Sequence, residues 1–178
     1  MESRNLMIRP TVFDDCRYFE KWEQDPEVIQ YFNISEGQTY EEVVTRFVRN
    51  EDDPSKLQYT IVLKTENRPI GRIIISKLNR EEDSLDIYRI YIADVEKRNC
   101  GYGKEALYAL LEYCFINMHM ERVSCYHFTG NDAAAHLFRR MGFQNEGIAR
   151  SGSKKDGRYY DLQFMSILRS EFFENRNI

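Results

Sequence analysis

Residues 98–107 read RNCGYGKEAL, with Arg98, Gly101 and Gly103 just ahead of an apolar pattern of helical spacing. Glycines in front of a helix let the backbone approach a ligand or another segment, because no Cβ intervenes. Three phosphate-binding arrangements compete for this stretch. A Walker loop needs G-x-x-x-x-G-K-(S/T), yet Arg98 holds the first glycine position and Glu105 follows Lys104 where a magnesium-binding hydroxyl belongs. The dinucleotide fingerprint G-x-G-x-x-(G/A) is formally met by Gly101, Gly103 and Ala106. In that motif the glycines follow their strand almost directly, and an acid about twenty residues later takes the ribose hydroxyls. Here the charged DVEKRN intervenes, and the following strand, RVSCYHF, ends in aromatics. The third arrangement is R-x-x-G-x-G between a strand and a long helix. Inward-turned N–H groups and the partial positive charge of the helix N-terminus then form a cradle for a pyrophosphate. A plain turn with helix-capping glycines is the competing reading of these residues.

Working outward, Ala106, Leu107, Leu110, Leu111, Cys114, Phe115 and Met118 keep the helical period, the clearest amphipathic helix in the chain. SLDIYRIYIAD (84–94) before it and RVSCYHF (122–128) after it read as strands. Further upstream, QYTIVLK and PIGRIIISKL form a hairpin around TENRP, and LMIRP (6–10) is a first strand. Thr11 and Asp14 are expected to open a helix running to about residue 24, followed by a short helix within 25–32 and another near 39–50. Downstream, NDAAAHLFRRM is a helix stopped by Gly142, and GFQNEGIAR and RYYDLQFMSILR are two closing strands around the polar SGSKKDG. A run of strands followed by strand–helix alternation predicts an α/β (α+β) fold with a mixed, mostly antiparallel central sheet flanked by helices. No linker or internal repeat interrupts it, so one domain over 1–178 is expected.

Hydrophobic residues make up 42% and aromatics 13% of the 178 residues, which is too apolar for disorder. A formal charge of −4 argues against a dedicated nucleic-acid binder, since phosphate neutralisation needs a basic face. The four cysteines show neither C-x-x-C pairing nor zinc spacing, and the histidines have no metal spacing. MESRNLMIRP lacks the apolar core of a signal peptide, and no stretch approaches a membrane span. The expectation is a metal-free cytoplasmic protein without a membrane or nucleic-acid partner.

RNCGYGKEAL resembles the acyl-CoA signature (Q/R)-x-x-G-x-(G/A) of the GNAT N-acetyltransferase superfamily. NDAAAHLFRRMGFQNEGIAR is similar to that family's N-x-x-A-x-x-L-(Y/F)-x-x-x-G-F-x-x-E-G segment, and DGRYYDLQFMSIL to its terminal G-x-Y-x-D-x-x-x-M-x-I-L. WEQDPEVIQYF resembles the W-x-x-D-P-x-V element of the branch holding ribosomal-protein and spermidine N-acetyltransferases. The order and spacing of all four match over essentially the whole chain.

The resemblance implies a GNAT fold, acetyl-CoA as co-substrate, and acetyl transfer to a primary amine by direct attack in a ternary complex. It implies that freed backbone at Tyr91, Ile92 and Ala93 binds the pantetheine arm, with an N–H at Tyr91 facing the oxyanion. The cradle carries over to Arg98, Asn99, Cys100, Gly101, Tyr102, Gly103 and Lys104; Asn99 and Cys100 stand where the family often has Gly-Lys. Asn131 matches a cofactor-binding asparagine and is also a natural helix N-cap. Phe138 falls where many members carry the tyrosine that protonates the departing thiolate, so this chain departs from the commonest mechanism. A hydroxyl of Tyr91, Tyr126 or Tyr160, or water, is the expected substitute.

An amine with a pKa of about 10.4 is almost entirely protonated at neutral pH and needs a base. Asp86 is the first candidate and Glu146 the second, while Tyr31 and Asp161 fall where related enzymes border the acceptor groove. Six acids against two arginines between positions 36 and 53 form a flank able to attract a cationic amine. The acceptors expected are a polyamine-like small amine or a protein N-terminus, and homo-oligomers are compatible with the sequence. The alternative from another class is a catalytically weak acyl-CoA-binding or sensing module.

Overall fold

The computed structural model describes residues 1–34 and 37–174. One sheet holds seven strands: β1 Leu6–Pro10, β2 Leu57–Leu63, β3 Arg68–Asn79, β4 Ser84–Ile92, β5 Arg122–Phe128, β6 Gln144–Lys155 and β7 Arg158–Leu168. Their spatial order is β1-β2-β3-β4-β5-β7-β6. Every neighbouring pair is antiparallel except β4–β5, which is parallel. The helices are α1 Cys16–Trp22, α2 Pro26–Ile29, α3 Tyr40–Glu51, α4 Tyr102–Glu112, α5 Asp132–Arg140 and α6 Arg169–Glu174.

The parallel pair needs a crossover, and α4 supplies it. Its Ala106, Leu107, Leu110 and Leu111 are fully buried, as are Cys114 and Phe115 in the π turn Tyr113–Asn117 that follows. They pack on Ile61, Ile73, Ile87, Val123 and Met165 of the sheet, forming the main core. Glu105 fixes the start of α4 to the N-terminal segment: its carboxylate accepts the Ser3 hydroxyl at 2.7 Å and the Asn5 N–H at 2.6 Å.

The opposite face carries α1 and α3, whose Cys16, Phe19, Val43 and Phe47 form a smaller apolar cluster. The layer beneath is polar. The Asn50 side-chain amide donates to Gln58 Oε1 at 3.2 Å, Gln58 Nε2 donates to the Phe47 carbonyl at 3.1 Å, and the Thr60 hydroxyl donates to Asp15 at 2.8 Å.

Local sequence explains most boundaries. Thr39 and Glu42 form a reciprocal capping box that starts α3. Asp25 caps α2, with Pro26 in its first position. The start of α1 differs from expectation: a 3-10 turn, Phe13–Asp15, comes first, and Asp15 rather than Thr11 takes the Val12 N–H, at 3.0 Å. Thr11 is drawn instead to Thr60, 3.2 Å away. β6 and β7 run longer than expected, because Asp156 and Gly157 at φ 49° and 78° turn the chain in two residues. The segment read as polar loop is therefore mostly strand, and α6 was not anticipated.

Candidate functional site

After β4 the chain passes through a 3-10 turn, Val95–Lys97, into a stretch where Asn99 and Gly101 are left-handed at φ 58° and 85°. Such alternation turns successive N–H groups toward one side. The first bond of α4 is Glu105 N–H to the Gly101 carbonyl at 3.0 Å. The N–H groups of Tyr102, Gly103 and Lys104 thus have no acceptor within the helix. A Cβ added at Gly101 or Gly103 would meet nothing within 4 Å, so the space beside these two glycines is open. Open amides at a positive helix end are chemically suited to an anion.

Beside the cradle the sheet splits. β4 and β5 pair only over Ser84–Ile87 and Arg122–Cys125. Beyond that, β4 stays with β3 as far as Ile92, and β5 stays with β7 as far as Phe128. The gap is a cavity of about 280 Å³, walled by Ile87–Ile90 on one strand, Tyr126–Phe128 on the other, Asn131 just before α5, and Ala134 and Phe138 within it. Tyr88 is a bulge: Arg89 stands opposite Ile74 and Ile87 opposite Ile75. The extra residue changes the strand's parity. Ile87 and Ile90 both meet the main core, while Arg89 lies among Glu23, Phe32 and Tyr88.

A larger cavity of about 1060 Å³ lies between α3 and the sheet. Tyr88, Arg89 and Tyr126 line both cavities, so the two meet at these residues. The larger one presents five cations (Arg46, Arg49, Lys56, Lys77 and Arg89) against the carboxylates of Glu41 and Glu42. Three of these five are ion-paired, Arg46 with Glu23, Lys56 with Asp53 and Lys77 with Asp86, and of the acids between positions 36 and 53 Glu36 lies outside the described residues. Helical spacing brings Arg46 and Arg49 to the same wall as Glu42, whose carboxylate is engaged by the Thr39 N–H at 2.8 Å.

Residues 5–144 match the family model described as an acetyltransferase (GNAT) domain. The chain belongs to the GNAT acetyltransferase family. This makes it an acetyl-CoA-dependent N-acetyltransferase. It is 26% identical over 171 residues to the uncharacterized N-acetyltransferase YnaD of Bacillus subtilis, covering 96% of this chain and 97% of that protein. It is 22% identical over 167 residues to a spermidine N(1)-acetyltransferase of Vibrio cholerae, covering 94% and 95%. The fold is similar to the crystal structure of the Vibrio cholerae spermidine N-acetyltransferase in complex with CoA and spermine. There the TM-score is 0.86 at 20% identity, covering 96% of this chain and 99% of that one.

The acetyltransferase brings together some of the residues singled out by sequence and separates others. Asn99, Cys100, Gly101, Tyr102, Gly103 and Lys104 all lie in the cradle. Arg98 belongs to the loop, but its guanidinium turns back, donating to the carbonyls of Ile92 at 3.2 Å and Ala93 at 2.9 Å and pairing with Glu27 at 2.9 Å. It braces the end of β4 rather than facing the cradle. The Ala93 N–H is already bonded to the Ile70 carbonyl at 2.8 Å. The Tyr91 hydroxyl donates to the buried Glu23 at 3.1 Å. Burial, and then Glu23, push its pKa far above the usual tyrosine range.

Asn131 lines the gap while its side chain accepts the Ala134 N–H at 3.1 Å, so it caps α5 at the cavity wall. Phe138 and Tyr31 also line the gap. Asp161 does not: it accepts the Ser151 N–H at 2.7 Å, holding the β6 irregularity that sets Gly152 and Ser153 over the gap.

Neither candidate base reaches the junction. Asp86 lies at the closed end of the β4–β5 pair, 2.9 Å from Lys77, in a separate depression. Glu146 is held by Arg122 and by the Ser166 hydroxyl, which keep its carboxyl below the usual range. Of the tyrosines, Tyr126 stands at the junction with its pKa pushed up to about 12, chiefly by burial. Tyr160 stacks on Phe128 at 4.9 Å.

Sequence reasoning missed Tyr88, Arg89 and His127. His127 is 8% exposed and lines the gap. Its ring stacks on Phe138 at 6.5 Å and 9°. Nδ1 lies 3.0 Å from the Phe128 carbonyl, and Nε2 is buried without a hydrogen-bond partner. The available signal was a histidine on the inward parity of an otherwise apolar strand. Among the described residues, no helix is long and apolar enough to cross a membrane, and no cluster of His, Cys, Asp or Glu could hold a metal ion.

Proposed function

We propose that this acetyltransferase moves the acetyl group of acetyl-CoA to a primary amine in a ternary complex, the co-substrate entering from the cradle side and the amine from the larger cavity. The observation that carries this reading is the meeting of the two cavities at Tyr88, Arg89 and Tyr126. The cradle's open amides suit a pyrophosphate, and the unpaired edges of β4 and β5 suit an amide-bearing arm added as a strand. Bound there, acetyl-CoA supplies an activated thioester.

The chain's own part is to orient, exclude water and move protons. His127 is the group placed to do the last. Donation from Nδ1 to the Phe128 carbonyl leaves Nε2 as an acceptor, so Nε2 takes one proton from the ammonium and returns it to the departing sulfur, while the second proton the nitrogen loses on becoming an amide passes to solvent. This replaces the hydroxyl that Phe138 lacks. The similarity to spermidine N-acetyltransferases makes polyamines one acceptor class to test, and peptide N-termini another.

Calorimetry with acetyl-CoA and a thiol-release screen over polyamines, aminoglycosides and N-terminal peptides test the reading. Gly101→Ala is expected to weaken acetyl-CoA binding at least tenfold, about 1.4 kcal/mol. Gly157→Ala introduces a side chain at a similar left-handed φ, 78° against 85°, but in the β6–β7 turn. It should share the folding penalty and leave affinity within about twofold. Equal affinity losses would remove the cradle assignment. Tight binding without turnover of any amine would favour the sensing module.

A further inference from the structure

Glu23 is fully buried and lies among three arginines. Arg72 donates Nη1 to its Oε1 at 2.9 Å and Nη2 to Gln58 Oε1 at 2.8 Å. Arg46 takes Oε2, and the Tyr91 hydroxyl reaches Oε1 at 3.1 Å. Arg89 comes last: its Nη1 stands 3.9 Å from Oε1, beyond hydrogen-bond reach. That nitrogen is buried and has no hydrogen-bond partner, and the residue is 4% exposed. The guanidinium carbon lies 4.9 Å from the Tyr88 ring centroid and 5.8 Å from that of Phe32. Aromatic faces partly shield the charge but accept none of its in-plane donors.

An arginine cannot shed its charge by deprotonation, so a buried one needs an anion. Among the described residues, one carboxylate serves three guanidiniums here. Burial is the main influence holding Arg46 below its ordinary pKa, and the charges of Arg89 and Arg72 add to it. Arg89 lies where the two cavities meet, and of the larger cavity's other cations Arg46 is held by Glu23, Lys56 by Asp53 and Lys77 by Asp86. A polycation entering there would place further positive charge against an unmatched guanidinium.

We propose that Arg89 anchors an acidic group of the acceptor: the amine acetylated by this protein also carries a carboxylate or a phosphate, which pairs with Arg89 at the cavity junction. The word acceptor rests on the acetyl-transfer reading above, whereas the anion site rests on Arg89 alone.

The test uses matched amines that differ in the anionic group, titrated calorimetrically into the whole protein in the presence of CoA. The probes are O-phosphoethanolamine against ethanolamine, β-alanine against propylamine, and spermidine. The acidic member of at least one pair is expected to bind at least tenfold more tightly than its neutral partner, and the pair that discriminates separates phosphate from carboxylate. Arg89→Gln should erase that preference. The wild-type comparison stands even if this variant fails to fold. Equal binding within both pairs, or spermidine binding more tightly than either acid, overturns the proposal. Thiol release with the same probes separates it from the reading beneath. Tight anion binding without acetylation leaves the Arg89 site standing and counts against acetyl transfer, while acetylation indifferent to the acidic group does the reverse.

Discussion

His127 and Phe138 stack in the wall of the β4–β5 gap, and between them they hold one polar atom without a partner, Nε2 of the histidine. A buried polar atom without a hydrogen bond has a cost, and an active site is where such a cost acquires a use. General acid–base help is worth roughly 10²–10⁴ in rate. His127→Leu, which keeps the wall apolar, is expected to lower kcat at least tenfold and to move the acetyl-CoA dissociation constant by no more than a few-fold. Adding Phe138→Tyr to that variant should restore part of kcat, because the new hydroxyl projects from the neighbouring ring into the same gap. Steady-state kinetics of the two variants decide the matter. An unchanged kcat in His127→Leu would mean that water carries the proton.

At the scale of elements, β4 serves both cavities because it is irregular. Its bulge at Tyr88 sends Arg89 away from the core that Ile87 and Ile90 face. Its far end is packed against β3 at Gly71, where an added Cβ would come within 2.3 Å of the Tyr91 carbonyl oxygen and 3.2 Å of the Ile92 Cα. Both contacts are to backbone, so β4 would have to move. Gly71→Ala is expected to destabilise the fold by about 1–3 kcal/mol. It should also weaken acetyl-CoA binding several-fold in the folded protein, since Tyr91 and Ile92 border the split. Thermal unfolding and calorimetry check the two halves separately. A loss of stability with intact affinity would detach the end of β4 from the co-substrate.

For the molecule as a whole, the polar layer under α1 ties stability to pH. Asp15 is 2% exposed. Burial alone would raise its pKa, but Arg9, at 2.6 and 2.8 Å, the Val12 N–H and the Thr60 hydroxyl hold it below the ordinary value. A carboxylate with a folded-state pKa below its unfolded value of about 3.9 stabilises the protein above that pH. The contribution disappears as pH falls through the folded-state value. Glu105, whose burial is outweighed by its bonds to Asn5 and Ser3, adds to the same trend. Urea unfolding should therefore show lower stability at pH 3 than at pH 7. Asp15→Asn should narrow that difference and lower stability at pH 7 by about 1–3 kcal/mol. A variant with the wild-type pH dependence would exclude Asp15 as a contributor.

Local chemistry made the elements and the cradle legible: the period of α4, the cap at Asn131, and Gly101, whose missing Cβ suits the left-handed turn before α4. These signals act over a few residues, so the chain states them directly. The bases, the cations and the acceptor's surroundings depend on what the fold places side by side. Asp86 and Glu146 read as free carboxylates until the sheet sets Lys77 and Arg122 beside them. The acids between positions 36 and 53 read as a cation-attracting flank until the fold brings Lys56, Lys77 and Arg89 from other elements to the cavity that Glu41 and Glu42 line. Strict alternation along SLDIYRIYIAD would put Arg89 with Leu85 and Ile87, and only the bulge at Tyr88 turns it to the other face, because one unpaired residue reverses every side chain beyond it.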